Sequence, residues 1–299
     1  MTKVSIILPV YDINSKMLRV AIDSILLQSY SNIELLIICD KSDVKVDLLL
    51  NEYELKDKRL KVIRNKKRIG IAESLNLGIR SSSGQYIARM DGDDISVSTR
   101  IEKQVEYLNS HKEVDVVFTR SGAINENGRR IFRPSYKLSD SQLISSLFIG
   151  CMVFHPTVMI RKDVLIKTNC FYDGRHFVED YDLWTRLVLS GVRLHQMNDI
   201  LYLYRIHANQ TTIKVKDNAV SDSLRILHSF IVGRGIDVSI EDTEKYRIYM
   251  TSKNKITANF RNTGKAVLKK IAEQNYDDFD IHFLNKRALV LEFIRWLKI

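Results

Sequence analysis

Along the first 120 positions, apolar residues follow two alternating rhythms. Val4–Val10, Ile33–Cys39, Leu60–Ile63, Tyr86–Met90 and Val114–Phe118 are short, β-prone runs. Between them, Met17–Gln28, Leu48–Tyr53, Ile71–Arg80 and Thr99–Asn109 carry apolar residues at helical spacing, as in Leu18, Ala21, Ile22, Ile25 and Leu26, or Ala72, Leu75 and Ile79. Ile33–Cys39 is apolar almost throughout, which suits a strand buried on both faces. Strand and helix alternating at this interval predict an α/β fold with a mainly parallel sheet and helices on both faces.

The pattern then changes. Asn125-Glu126-Asn127-Gly128-Arg129 reads as a hairpin turn. Ser139–Phe148, Arg161–Lys167 and Glu179–Ser190 read as helices, Thr157–Ile160 and Ile200–Ile206 as strands. From 216 onward the chain is helical and basic, with no proline after Pro156. The expected division is a domain over 1–215, in halves 1–120 and 121–215, followed by a basic helical region over 216–299.

Hydrophobic residues at 45% and charged residues at 27% are ordinary for a folded chain. No run approaches the length of a transmembrane helix. The start, Met1-Thr2-Lys3 leading straight into a strand, lacks the pattern of a signal peptide, so a cytoplasmic protein is expected. Cys39, Cys151 and Cys170 are widely spaced and read as reduced core thiols. The net charge of +10 is concentrated: residues 251–299 hold ten Lys/Arg against five Asp/Glu, or +5. Such a region either meets an anionic partner (lipid, phosphorylated substrate or nucleic acid) or is a solvated helical surface. In the last stretch, 286–299, Arg287, Arg295 and Lys298 fall near one side, with Leu289, Phe293, Trp296 and Leu297 elsewhere.

Open parallel sheets bind ligands beyond the carboxyl ends of their strands. Asp12, Asp40 and Met90-Asp91-Gly92-Asp93-Asp94 all stand at such ends. Carboxylates two residues apart past a strand supply hard oxygen ligands for Mg²⁺ or Mn²⁺; the competing reading is a polar Asp-Gly turn. Glu179 and Asp180 open a helix, where acids favour the dipole and cap the first turn, or where one serves as a general base. His207 closes a strand beside Arg205, with Gln210 and Thr211 following, placed to meet phosphate or metal or to act structurally. Neither a GxxxxGK[ST] loop, a GxGxxG turn nor an HExxH pair occurs.

Four ordered stretches resemble the bacterial family-two glycosyltransferases of GT-A fold. They are Val4–Tyr11, Ser24–Ile37, Gly84–Asp94 and Glu179–Trp184, and the likeness covers about residues 1–215. It implies a nucleotide-binding half over 1–120 and an acceptor half over 121–215. It further implies that Pro9, Tyr11 and Asp12 flank the nucleotide base, that Asp40 bonds it (commonly uracil), and that Arg68 contacts base or phosphate. Asp91 is then the acid between ribose and metal, Asp93 a metal ligand and Asp94 the next candidate. Asp180 is the base of the Glu179-Asp180 pair. Asp182, Trp184, Arg205, Gln210 and Thr211 fall near the acceptor or diphosphate, and His207 near the metal or diphosphate.

The function expected is inverting transfer of a sugar from a nucleotide sugar, with UDP as the carrier, to a hydroxyl of a saccharide acceptor. A divalent metal, Mn²⁺ or Mg²⁺, is the expected cofactor. The acceptor is expected to be lipid-diphosphate-linked, in O-antigen, capsule or lipooligosaccharide synthesis, with the protein peripheral on the inner face of the cytoplasmic membrane. One alternative is a nucleotidyltransferase that forms sugar nucleotides. It usually needs a Gly-rich loop after the first strand, and this chain has no glycine before Gly70. The other is an inactive nucleotide-sugar binder, against which the complete acid set argues. Nucleic acid is not an expected partner: no basic motif is interleaved with aromatics, and an acidic crevice repels phosphate.

Overall fold

The computed structural model describes residues 1–40, 42–131, 134–174, 178–208, 216–274 and 276–297. Its nine-stranded sheet consists of β1 (Val4–Val10), β2 (Ile33–Cys39), β3 (Leu60–Arg64), β4 (Tyr86–Arg89), β5 (Ile95–Ser96), β6 (Val116–Asn125), β7 (Arg130–Ile131), β8 (Met159–Arg161) and β9 (Leu194–Ile206). The order is β3-β2-β1-β4-β8-β6-β9-β5, with β7 on β6. β1 to β4 are parallel, β8 is antiparallel to β4 and β6, β9 is parallel to β6, and β5 is antiparallel to β9. The sheet is therefore mixed and mainly parallel.

All seven residues of β2 are buried, as its continuous apolar run requires. The helix α1 (Ser15–Leu26) starts where the Asn14 side chain accepts from the amides of Lys16 and Met17, and it buries the stripe Leu18, Ala21, Ile22 and Ile25. α3 (Ile71–Ser81) buries Ala72, Leu75 and Ile79; Gly78 gives it room, since a Cβ there would stand 2.5 Å from Ile7 Cγ2. α2 (Val44–Lys56), α4 (Arg100–Ser110) and the short α6 (Lys162–Thr168) complete the helices between strands. Polar groups also sit inside this frame. Glu34 of β2 accepts from Ser5 Oγ (2.5 Å), Ser83 N (2.7 Å) and Lys3 Nζ (3.1 Å). Burial alone would raise its pKa, but these hydrogen bonds prevail and hold it at about 2.

The chain separates into two compact units. One comprises Met1–Lys137, Val153–Arg175 and Val192–Lys214 and contains the sheet. The other comprises Leu138–Met152, His176–Gly191 and Val215–Ile299. The second unit contains α5 (Asp140–Ser146), α7 (Glu179–Leu189), α8 (Lys216–Gly233), α9 (Ile240–Thr251), α10 (Ala258–Ala272) and α11 (Ile281–Leu297). Residues 138–152 and 176–191, which the resemblance puts in the acceptor half, thus cluster with the later helices. Phe148 is the link: its ring packs 4.9 Å from Phe230 and 5.3 Å from Phe279.

Several element bounds differ from the periodicity. β9 begins at Leu194, ahead of the expected Ile200, because the first half of the strand pairs with β6 through Leu194, His195 and Gln196, which do not alternate cleanly. Thr157 belongs to a 3₁₀ turn, His155–Thr157, that Pro156 favours, and the strand starts only at Met159. Cys39 and Cys170 are buried, as core residues should be; Cys151 is half-exposed.

Candidate active site

Met90 N donates to Ile7 O (3.0 Å), the last tie between β4 and β1. The chain then turns through Asp91-Gly92-Asp93-Asp94 into β5, and β5 pairs with β9 (Ile95↔Leu203). That pairing brings the end of β9 against the turn. Arg205 N donates to Asp94 Oδ1 (2.7 Å), Arg205 Nε to Asp93 O (2.5 Å), and Arg205 Nη1 to the carbonyls of Asn125 and Glu126 (3.2 and 2.9 Å). His207 Nε2 lies 2.9 Å from Asp93 Oδ2. The structure therefore gathers Asp91, Asp93, Asp94, Arg205 and His207. Arg205, itself buried, clamps the turn through backbone atoms. Gln210 and Thr211 lie outside the described residues.

Gly92 is required by packing. A Cβ on it would stand 2.5 Å from Ile13 Cδ1 and 3.3 Å from Leu18 Cδ1. The turn is thus pressed against the loop between β1 and α1, which fixes the three carboxylates from behind.

One oxygen from each of Asp91, Asp93 and Asp94 can be chosen so that all lie within 4.8 Å of one another. Burial, and then the charges of Asp91 and Asp93, push the Asp94 carboxyl well above its ordinary range. Burial likewise raises Asp91, although Arg89 opposes this with a two-pronged contact (2.7 and 3.1 Å). Asp94 is fully buried; Arg205 N donates to its Oδ1 and the Tyr202 hydroxyl also acts on the carboxyl, but no donor of good geometry reaches Oδ2. An orphaned buried carboxylate oxygen beside two other acids fits a hard divalent cation.

Behind the triad stand residues that sequence reasoning missed. Arg100 is fully buried, its Nη2 donates to Arg89 O (3.0 Å) and Val158 O (3.2 Å), and burial lowers its pKa to about 10. Its guanidinium lies 5.2 Å from the centre of the Tyr202 ring, and the Tyr202 hydroxyl accepts from Asp91 N (3.2 Å). The available clue was an arginine on the apolar face of a helix, in phase with Gln104, Val105 and Leu108.

The expected nucleotide side lies at the ends of β1 and β2. Pro9 pairs with Ile38 where β4 has already diverged, so its missing amide interrupts no ladder. Tyr11 is half-exposed and the Arg68 guanidinium sits 4.0 Å from the centre of its ring. Asp12 adopts φ +48°, a left-handed turn after the strand. Asp40 is buried: its Oδ2 accepts from Ile69 N and Gly70 N (both 3.0 Å) and Oδ1 from Asn65 Nδ2 (2.8 Å). In this structure Asp40 holds the 65–70 loop that carries Arg68.

In the second unit, Glu179, Asp180 and Asp182 occupy the first turn of α7. Asp180 Oδ1 accepts from Tyr181 N (2.8 Å), and Cys151 Sγ lies 3.6 Å from Asp180 Oδ2. Asp182 pairs with Arg186 one turn on (2.5 and 2.9 Å), and Trp184 is a core residue, 1% exposed.

A mixed, mainly parallel sheet with an acidic turn beyond β4 is the architecture of a GT-A transferase. Residues 5–168 match the profile of "Glycosyl transferase family 2", and the chain belongs to that family. It is 35% identical to the O-antigen biosynthesis glycosyltransferase WbnJ of Escherichia coli, over 70% of this chain and 81% of that one. It is 34% identical to the putative glycosyltransferase EpsE of Bacillus subtilis, over 68% of this chain and 73% of the relative. Among solved structures, S. aureus TarS in complex with UDP-GlcNAc shares the fold (TM-score 0.66, 16% identity, 97% of this chain and 89% of that one). So does the mannosyltransferase PcManGT from Pyrobaculum calidifontis in complex with GDP-Man and Mn²⁺ (TM-score 0.57, 14% identity, covering 98% and 81%). The protein is a glycosyltransferase; the nucleotidyltransferase and inactive-binder alternatives give way to this assignment.

Proposed function

We propose that this glycosyltransferase moves a sugar from a UDP-sugar to a hydroxyl of a lipid-diphosphate-linked saccharide, inverting the anomeric centre, in bacterial surface polysaccharide synthesis. The observation that carries the reading is the Asp91, Asp93 and Asp94 triad with the orphaned Asp94 Oδ2. The relationship to an O-antigen enzyme supports the pathway, and TarS with UDP-GlcNAc supports the nucleotide.

Asp93, Asp91 and Asp94 would hold Mn²⁺ or Mg²⁺, with His207 beside Asp93. When bound, the cation supplies Lewis-acid neutralisation of a diphosphate leaving group. The chain's own residues do the rest. Tyr11 and Arg68 offer flat surfaces to a base, and Asp40 keeps the Arg68 loop in place. Arg89 holds Asp91, and Arg205 holds the turn. Asp180 accepts the proton of the acceptor hydroxyl as that oxygen attacks the anomeric carbon. No covalent intermediate is required, so one displacement inverts the centre. Glu179 stays the second proposed catalytic acid, and Asp182, Gln210 and Thr211 are proposed acceptor or diphosphate contacts.

The test is a thermal-shift and turnover screen of nucleotide sugars with and without Mn²⁺. A metal-dependent rise with UDP-sugars is expected by mass action, and it should vanish in Asp93→Ala. Asp180→Asn should keep the donor shift and lose transfer by about 10²–10⁴-fold. Full transfer in that variant would reject the base, and stabilisation by GDP-sugars alone would reject UDP.

A further inference from the structure

The helix α11 is amphipathic in sequence but is packed with its arginines inward. Arg295 is 2% exposed; its Nε and Nη2 donate to Ser252 O (3.2 and 2.9 Å), and Nη2 also to Tyr249 O. Arg287 Nε donates to Met250 O (3.3 Å). These carbonyls close α9, where the helix dipole favours cations. Leu284, Ala288 and Leu291 fill the rest of the buried side. The expected basic face is therefore consumed within the unit. Lys298 and the side chains of Trp296 and Leu297 lie outside the described residues.

Past Lys286, the exposed residues of α11 that the structure describes are apolar. Leu289 is 70% exposed, Val290 48% and Phe293 58%. They form one stripe, at i, i+1 and i+4. Lysines border it. Lys286 is exposed one turn earlier. On α10, Arg261 and Lys265 reach Glu292, the neighbour of Phe293 (3.3 and 3.7 Å), and exposed Lys269, 3.8 Å from Glu273, follows one turn on. A helix apolar on two sides leaves one side to be covered by something other than water.

We infer that the outer face of α10 and α11 docks on an anionic lipid surface. Leu289, Val290 and Phe293 enter the boundary between headgroups and acyl chains, and Lys265, Lys269 and Lys286 meet lipid phosphates. Among the described residues no helix is long and apolar enough to cross a membrane, so α11 lies on the surface. A second copy is the poorer occupant. A two-fold contact through this stripe would set one basic rim against another, in a region whose charge is +5. The inference rests on the lipid-linked acceptor proposed above for its purpose. The same unit carries Glu179 and Asp180, so docking would keep the proposed base on the membrane-bound part of the chain.

The test is flotation of the full chain with phosphatidylcholine vesicles, with and without phosphatidylserine, without donor or acceptor. Failure of the transferase reading therefore leaves its outcome untouched. The chain should float with the anionic vesicles and be released by salt. Leu289→Ser with Phe293→Ser, and separately Lys265→Glu with Lys269→Glu and Lys286→Glu, should each lower partition by about tenfold or more. Both variants should keep the wild-type melting temperature. Flotation equal to wild type in either variant overturns the inference, as does a wild type that stays with the lipid-free fraction. A wild-type dimer that the serine variant converts to monomer, with no change in flotation, would assign the face to a second copy.

Discussion

Replacing Asp94 by Asn separates what the triad costs the fold from what it provides to a cation. Asp94 Oδ1 accepts the Arg205 amide, a bond that Asn retains with its own oxygen. Nδ2 then takes the place of the orphaned Oδ2 and donates toward a site lined by the Asp91 and Asp93 carboxylates. The change removes one buried negative charge and its repulsion. Relieving an uncompensated buried charge at constant volume is worth about 1–3 kcal/mol. For the sheet-bearing unit this corresponds to a rise in melting temperature of roughly 3–10 °C in EDTA. The pH dependence has a defined sign. A carboxyl whose pKa is raised on folding binds more protons folded than unfolded, so wild-type stability in EDTA falls as pH climbs above its ordinary value of 3.8. Asp94→Asn should flatten that decline, and Mn²⁺ should stabilise wild type most at the upper end of the range and the variant least. The assay is a melting series from pH 5 to about 8, with EDTA or Mn²⁺. A variant less stable than wild type in EDTA, or one with an undiminished Mn²⁺ shift, refutes the reasoning.

Three further outcomes follow from the packing. Glu34→Gln should remove a contribution on the order of 3 kcal/mol, which in wild type is present above pH 4.5 and lost as pH falls toward 2; acid-unfolding curves of the two chains should converge at the low end. Gly92→Ala should destabilise by about 1–3 kcal/mol through contact with Ile13 Cδ1, and Ile13→Val, which removes that methyl, should recover part of the loss in a double-mutant cycle by denaturant melting. Arg100→Met should cost about 2–4 kcal/mol by stranding the Arg89 carbonyl and the buried Gln104 Oε1, yet leave Mn²⁺ binding by calorimetry as tight or tighter, because a cation behind the acids is gone.

Strand and helix order was readable because β1, β2 and β4 are short β-prone runs buried almost throughout, while the helices between the strands each bury a stripe at helical spacing. β5 was not readable, because Ile95 and Ser96 carry no pattern of their own; their partners on β9 define the strand. The acidic turn stood out as carboxylates beyond a strand, and Arg205 and His207 as polar residues closing another. Their meeting depends on β5 and β9 pairing across more than a hundred residues, which no local pattern encodes. Asp40 illustrates the opposite limit. Its position after β2 marked it as a ligand residue, but Ile69 N, Gly70 N and Asn65 Nδ2 converge on it from a loop whose course is set by tertiary packing. Cys151 likewise belonged to an apolar run, while its contact with Asp180 comes from a separate segment.

Several arginines are placed by backbone carbonyls and not by the surface. Arg161 donates to Val114 O, Leu108 O and His111 O, gathering the carbonyls that end α4 and the loop after it. Arg295 does the same for α9, Arg100 for the ends of β4 and the turn before β8, and Arg205 for the β6–β7 hairpin and the acidic turn. A guanidinium presents five donors in a fixed plane and can satisfy several converging carbonyls at once, which an ammonium on a flexible stem does less well. Part of the +10 charge therefore serves unpaired backbone oxygens, and the charge left for a partner is mostly lysine. That division limits what net charge implies about binding: arginines such as Arg295 are withdrawn from solution by burial, whereas Lys265, Lys269 and Lys286 stay in it. A salt-sensitive partner of this chain should accordingly respond to lysine substitutions in α10 and α11, whereas substitution of the carbonyl-binding arginines should register first as a loss of fold.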